Sequence, residues 1–454
     1  MHTLDQLRSG ALAGIHRLDL SCGLTEFPRE IFDLADTLEI LNLSGNALSE
    51  LPADLHRLHR LKVLFCSDNR FTELPDVLGA CGQLEMVGFK ANQICHVPAA
   101  ALPARLRWLI LTDNAIEALP DTLGSCPQLQ KLMLAGNRLA QLPETLATCG
   151  QLELLRIAAN HLTELPDWLL RLPRLSWLAY AGNPLVHNTG HAAVDNHVIH
   201  SIHWNDLELD QRLGEGASGV IHKARWRTSG SDLSTVVAIK LFKGAMTSDG
   251  LPSQEMAACI AAGTHPHLIG TCGVIHSHPD GTPGLVLPLI DPSFGNLAGP
   301  PSLVSCTRDV YPTGWHVSVD NLLAIVRGMA SAAAHLHAHG ILHGDLYAHN
   351  MLWNGAGQAL LGDFGAASFY RPDGSGTARA LERIEVRAFG CLLEELLQHC
   401  DTPIASDARL TDLAALCTRC LQPDGTARPP FAQICQILQD GISAAGPRGR
   451  DTGA

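Results

Sequence analysis

The 454-residue sequence has no apolar run long enough to cross a bilayer. Its most apolar helical stretch, Asn321 to His337, is broken by Arg327 and falls short of the roughly 20 residues that a hydrocarbon layer of about 30 Å requires. The opening MHTLDQLRSG holds no apolar core of the kind that directs secretion. A basic stripe is also missing. The formal net charge is −13, which argues against general nucleic-acid binding and for a soluble acidic protein without a membrane partner. The 14 cysteines follow no recurring framework, so reduced thiols and a cytoplasmic location are expected. Cys417 and Cys420 form a C-x-x-C with no second pair, which favours core thiols over zinc ligands.

The chain is too long for one ordinary core, and two domains are expected. A repeat fills the first part: Leu38-x-x-Leu41-x-Leu43-x-x-Asn46-x-Leu48-x-x-Leu51-Pro52 returns at Leu61, Leu84, Leu106, Leu129, Leu152 and Leu175, with a degenerate first copy from Ile15. The register asparagines are Asn46, Asn69, Asn92, Asn114, Asn137, Asn160 and Asn183. Each repeat places a short strand on one face and buries its leucines between neighbours, so that no repeat folds alone. The asparagine amide replaces backbone hydrogen bonds lost at the sharp bend. The frame resembles the leucine-rich repeat family, which implies an α/β solenoid over residues 1–186. Residues between the strand leucines, among them Ile40, Val63, Phe65, Met86, Trp108, Ile110, Met133, Leu154 and Trp177, point outward in this frame. An apolar stripe of that kind marks a concave surface for a protein ligand, or else one covered by the other domain.

Residues 187–205 lack the repeat and are rich in histidine. His197, His200 and His203 recur every third residue, but without a completing cysteine or carboxylate they read as a solvated connector.

The stretch Ile341 to Gly365 carries the chemistry. Transfer of a metal-bound phosphoryl group needs a carboxylate to receive a hydroxyl proton and oxygen ligands for magnesium. Asp345 suits the first task; Asn350 and Asp363, the latter just before a glycine turn, suit the second. Upstream, Gly214, Gly216 and Gly219 form G-x-G-x-x-G, followed by strand-like residues rather than the helix a dinucleotide site requires. Val237-Ala238-Ile239-Lys240 comes next.

His343-Gly344-Asp345 with Asn350, Asp363-Phe364-Gly365, the glycine turn and the Lys240 strand together resemble the eukaryotic-type protein kinases. The resemblance implies a second, α+β two-lobed domain over residues 206–440, with residues 441–454 left as a disordered tail. It implies ATP and Mg2+ as cofactors. The nucleotide would lie against Gly214, Gly216, Gly219, Ile221, Ala238, Lys240 and Leu287, with the hinge N–H of Ile290. Glu255 would pair with Lys240, Asp345 would act as base, and Asn350 and Asp363 would hold the metal. The chain also departs from the family pattern. Gly344 replaces the arginine of H-R-D, Tyr347 replaces the usual lysine, and the APE element is missing. Glu385 stands for the usual aspartate of a long helix, and Arg428 lacks a clear partner, with Glu382 or Glu385 as substitutes.

The expected function is therefore an ATP- and Mg2+-dependent protein kinase, serine/threonine-directed because the loop carries Ala348-His349 instead of an arginine. The repeats would bind a protein substrate or regulator. The alternative is a catalytically weak or inactive kinase-like scaffold in which the repeats carry the function.

Overall fold

The computed structural model describes residues 2–185, 200–216, 218–227, 234–243 and 246–443. The array is an eight-stranded parallel sheet built from β1 (Arg17–Asp19), β2 (Ile40–Asn42), β3 (Val63–Phe65), β4 (Met86–Gly88), β5 (Trp108–Ile110), β6 (Lys131–Met133), β7 (Leu154–Arg156) and β8 (Trp177–Ala179). On the opposite side, short 3-10 turns open on Pro28, Pro75, Pro98, Pro120 and Pro143. Proline presets the backbone there and gives up no needed donor. The register asparagines lock the stack. Asn137 Oδ1 accepts from the Ile116 N–H at 3.0 Å, while its Nδ2 donates to the carbonyls of Leu111 and Leu134 at 2.9 Å. Asn69, Asn92, Asn114, Asn160 and Asn183 repeat the arrangement.

The second half has two lobes. The smaller contains β9 (His200–His203), β10 (Leu207–Glu215), β11 (Gly219–Arg227), β12 (Ser234–Phe242), β13 (Gly273–His276) and β14 (Gly284–Pro288), in the order β10-β11-β12-β14-β13-β9, with the helix Pro252–Ala261. The larger is built on the helices Val319–Ala338, Gly376–Gln398, Ala408–Cys420 and Phe431–Ser443. Cys417 and Cys420 are buried between these helices, and burial pushes both thiols up to about 12.

One expectation needs correction at the connector. Residues 200–203 form β9, which adds in parallel to the sheet edge at β13, and 204–206 make a 3-10 turn. The close approach depends on Gly273, where a Cβ would stand 2.5 Å from the His200 carbonyl oxygen. The rest of the expected connector, including His197, and residues 444–454 of the expected tail lie outside the described residues. The last helix runs past 440 to Ser443.

The outward stripe of the array also needs correction, since the second half of the same chain covers it. Val63 and Met86 pack with Cys306 and Leu303. Met133, Leu154 and Trp177 belong to the core of the larger lobe, and Trp177 is 1% exposed. The array touches both lobes. Lys90 Nζ donates to Ser248 Oγ at 3.2 Å on the smaller side. On the larger side, Thr307 donates to Glu153 and Arg428 Nη2 donates to the Pro173 carbonyl at 2.9 Å.

The asparagine ladder yields a prediction. Asn137→Ala would strand one buried N–H and two carbonyls, at about 1–3 kcal/mol for each group not rescued by water, whereas Asn46 is only half-buried near the open end of the array. Urea denaturation of the full chain should show Asn137→Ala losing at least about 2 kcal/mol and Asn46→Ala clearly less. Equal losses would show that the ladder does not hold the stack.

Candidate active site

Lys240 lies on β12, paired through the sheet with Ile221 on β11 and Leu285 on β14. Its ammonium forms an ion pair with Glu255 of the helix Pro252–Ala261. Burial alone would lower the lysine pKa, but the Glu255 and Asp363 carboxylates outweigh it, and Lys240 is raised and held charged. Glu255 is raised too, first by its own burial. Its Oε2 is buried, and the Ser218 hydroxyl and the Lys240 ammonium are the groups that favour its charge.

The catalytic loop is held from behind. His343 is fully buried, with Nε2 3.0 Å from the Gly362 carbonyl oxygen, and its ring packs against Phe364. Glu385, in the helix Gly376–Gln398, accepts from the Gly344 N–H at 2.8 Å and contacts His337 Nε2 at 2.7 Å. Burial opposes its charge, yet the His337 hydrogen bond and neighbouring positive groups leave its pKa lowered. His349 Nδ1 is 2.7 Å from Asp309. Burial pulls this imidazole down, but the Asp309 carboxylate prevails and raises it.

In front of this scaffold, Asn350 Nδ2 donates to Asp345 Oδ2 at 2.7 Å and to the Asp345 carbonyl at 3.0 Å. The amide oxygen is therefore the atom of Asn350 suited to a cation. Asp363 sits at a left-handed φ of 55°, and its Oδ1 accepts from the Gly365 N–H at 3.1 Å. A cavity of about 230 Å3 is lined by Gly216, Gly219, Ile221, Lys240, Glu255, Leu287, Asp363 and Gly365 among others. Three of the sequence-derived nucleotide contacts are absent from its lining. Gly214 pairs with Ile221 on β10, Ala238 is buried opposite Leu287, and Ile290 lies just past β14.

Carboxylate oxygens of Asp363 and Glu255 line the cavity, and with the Asn350 amide oxygen on the neighbouring loop they are hard donors of the kind that suits a divalent cation. A lysine ammonium with closely approached glycine backbone suits phosphate. A Cβ at Gly219 would stand 2.5 Å from the Leu241 carbonyl oxygen, so that position admits no side chain.

The residue missed by sequence reasoning is Arg156 of β7. It is 2% exposed and donates to Asp345, to the Gly344 carbonyl at 3.0 Å and to Asp249 at 2.6 Å. Burial disfavours its charge, but the two carboxylates prevail and raise its pKa. Trp177 stacks on Tyr347 at 4.1 Å and 8°, and its Nε1–H donates to the Leu346 carbonyl at 3.3 Å. A signal was present. In the strand register, Asn42, Phe65, Gly88, Ile110, Met133, Arg156 and Ala179 form one row, and Arg156 is its single cation.

Arg428 proves to need neither Glu382 nor Glu385. It donates to the carbonyls of Gln422, Arg383, Pro423 and Pro173, and burial lowers it to about 10.

Residues 207–408 match the family described as protein tyrosine and serine/threonine kinase, and residues 37–58 and 104–162 match leucine rich repeats. The chain is 28% identical over 177 residues to serine/threonine-protein kinase bur1 of Neurospora crassa, covering 37% of this chain and 29% of that protein. It is 29% identical over 167 residues to cyclin-dependent kinase 20 of Macaca mulatta, covering 36% and 61%. With probable serine/threonine-protein kinase roco9 of Dictyostelium discoideum it shares 43% over 61 residues, covering 13% and 2%. The chain thus spans less than two thirds of each of these relatives. Repeats and lobes together make it a leucine-rich-repeat protein carrying a domain of the protein tyrosine and serine/threonine kinase family.

Proposed function

We propose that the chain is an ATP- and Mg2+-dependent protein kinase directed to serine and threonine hydroxyls, acting in the cytoplasm. The observation that carries this reading is that the Lys240–Glu255 pair and Asp363 line one cavity, while Asn350, whose carbonyl accepts from the adjoining Gly362 N–H at 3.0 Å, is bonded in turn to Asp345. A pure scaffold would have no physical need to keep a buried ammonium between two carboxylates beside such a loop. The names of two matched relatives, bur1 and roco9, support the serine/threonine choice.

In this reading Asp363 and the Asn350 amide oxygen hold the cation, while Lys240 and the Gly216–Gly219 turn hold the triphosphate. The bound metal would neutralise phosphate charge. Asp345 takes the proton of the protein hydroxyl as that oxygen bonds to the γ-phosphorus and the bond to ADP breaks. Asn350 fixes the carboxylate through its amide nitrogen. Tyr347 offers no cation to the transferred group, so slow turnover is expected. The alternative, a kinase-like scaffold, draws support from one feature of this arrangement: both Asp345 oxygens are engaged, one by Arg156 and one by Asn350.

Two outcomes are expected. Asp363→Ala should abolish Mg2+-dependent binding of a fluorescent ATP analogue, whereas Asp345→Asn should bind it within about threefold of wild type, less than about 1 kcal/mol, and lose phosphoryl transfer. Equal transfer by wild type and Asp345→Asn would remove the enzyme reading. Separately, Lys240→Met should strand the Glu255 carboxylate and cost about 3 kcal/mol of stability. Adding Glu255→Gln should recover part of that loss in thermal unfolding, while nucleotide binding stays weak.

A further inference from the structure

We propose that β7 and β8 plug the protein-hydroxyl side of the cleft, so that the docked chain can hold nucleotide but cannot pass phosphate to another protein. This rests on the kinase reading and adds what controls that site. A substrate hydroxyl must come within hydrogen-bond reach of a carboxylate oxygen of Asp345. Neither oxygen is free: Asn350 occupies Oδ2 at 2.7 Å and the Arg156 guanidinium occupies Oδ1. Beside Asp345, the Trp177 ring covers Tyr347, the next place in the loop where a substrate backbone could approach.

The nucleotide side remains assembled under the plug. Lys240 keeps its pair with Glu255, and the cavity lined by Gly219, Ile221, Leu287 and Asp363 remains present. The block falls on the Asp345 side, while Asp249, the other carboxylate bonded to Arg156, stays in the lining of that cavity.

Gly344 shows that the chain is built for this contact. Its φ is 74°, and a Cβ there would lie 2.7 Å from the Leu178 carbonyl oxygen of β8 and 2.6 Å from that of Ala366. An arginine at this position could not coexist with the docked array. The guanidinium at the loop is supplied instead by Arg156, through the Gly344 carbonyl.

The test uses the full chain and two variants that loosen the plug from opposite sides. Arg156→Ser removes the guanidinium from the array. Thr307→Glu sets a second carboxylate against buried Glu153, outside the groups around the nucleotide. Transfer from ATP and Mg2+ to casein, binding of a fluorescent ATP analogue with Mg2+, and hydrogen exchange over residues 341–350 are measured for each. Both variants should exchange faster over 341–350 and phosphorylate casein at least tenfold faster than wild type. Adding Asp345→Asn should abolish the gain, and Thr307→Glu should bind nucleotide as wild type does. Faster exchange without faster transfer would overturn the plug, as would unchanged exchange in both variants. Slower transfer in Arg156→Ser would overturn it in favour of Arg156 supporting catalysis. If no form transfers but all bind nucleotide with Mg2+, the plug fails while the nucleotide site stands. If none binds it, the kinase reading itself fails.

Discussion

The Arg156 guanidinium, buried between Asp345 and Asp249, is the contact on which the arrangement of the whole chain depends. A lone buried guanidinium would cost several kcal/mol, and two carboxylates with a backbone carbonyl offset that cost only when all three are correctly placed. Asp345 belongs to the catalytic loop of the larger lobe, while Asp249 precedes the helix that carries Glu255 in the smaller lobe. One side chain of the array therefore fixes both lobes. Apolar packing follows from that placement: Trp177 reaches Tyr347, and Met133 and Leu154 enter the core of the larger lobe. The same packing explains why the apolar concave stripe is not left open to solvent, because it is covered from within the chain.

Charge inside the cleft is organised in the same manner. Glu255 and Asp363 face one ammonium. Two carboxylates gathered at one buried cation are costly to keep ionised, and burial together with Asp363 raises the Glu255 carboxyl against the pull of Lys240. Behind the loop, Glu385 satisfies the buried Gly344 N–H, a backbone donor that would otherwise be stranded. Its longer side chain performs this task from the helix Gly376–Gln398 although an aspartate is usual in related domains.

Much of this was legible in the sequence where a local rule repeats or a spacing is fixed by chemistry. The register asparagines announce themselves because each must answer the same missing backbone bonds, and Lys240, Asp345, Asn350 and Asp363 stand at intervals set by loop geometry. What depends on contacts between distant segments was not legible. Gly344 reads in sequence as the loss of a phosphate receptor, and the approach of the Ala366 and Leu178 carbonyls at a left-handed φ shows why no side chain fits. Residues 200–203 read as connector because a single strand added to a sheet edge carries no periodicity of its own. Arg428 appeared to need a carboxylate, yet four backbone carbonyls satisfy it without one. Arg156 sits at a position where one cation among apolar neighbours was visible, but its partners lie far along the chain.

The short segment after Gly365 completes the argument about control. Ser368 is fully buried, and its hydroxyl oxygen accepts the N–H groups of Tyr180 at 3.0 Å and Ala181 at 3.1 Å, both from the last repeat. Tyr370 is buried as well, with its hydroxyl donating toward Glu382 and the His337 carbonyl. A phosphate on Ser368 would bring about −1.5 to −2 charges into a site made for one hydroxyl, so the docked array and a modified Ser368 exclude each other. With Gly344 in place of an arginine, the loop offers no guanidinium of its own to receive such a charge. Ser368 therefore offers no place for a phosphate while the array is docked. The array takes over the work of holding the loop, through Arg156 at Asp345 and through Tyr180 at Ser368.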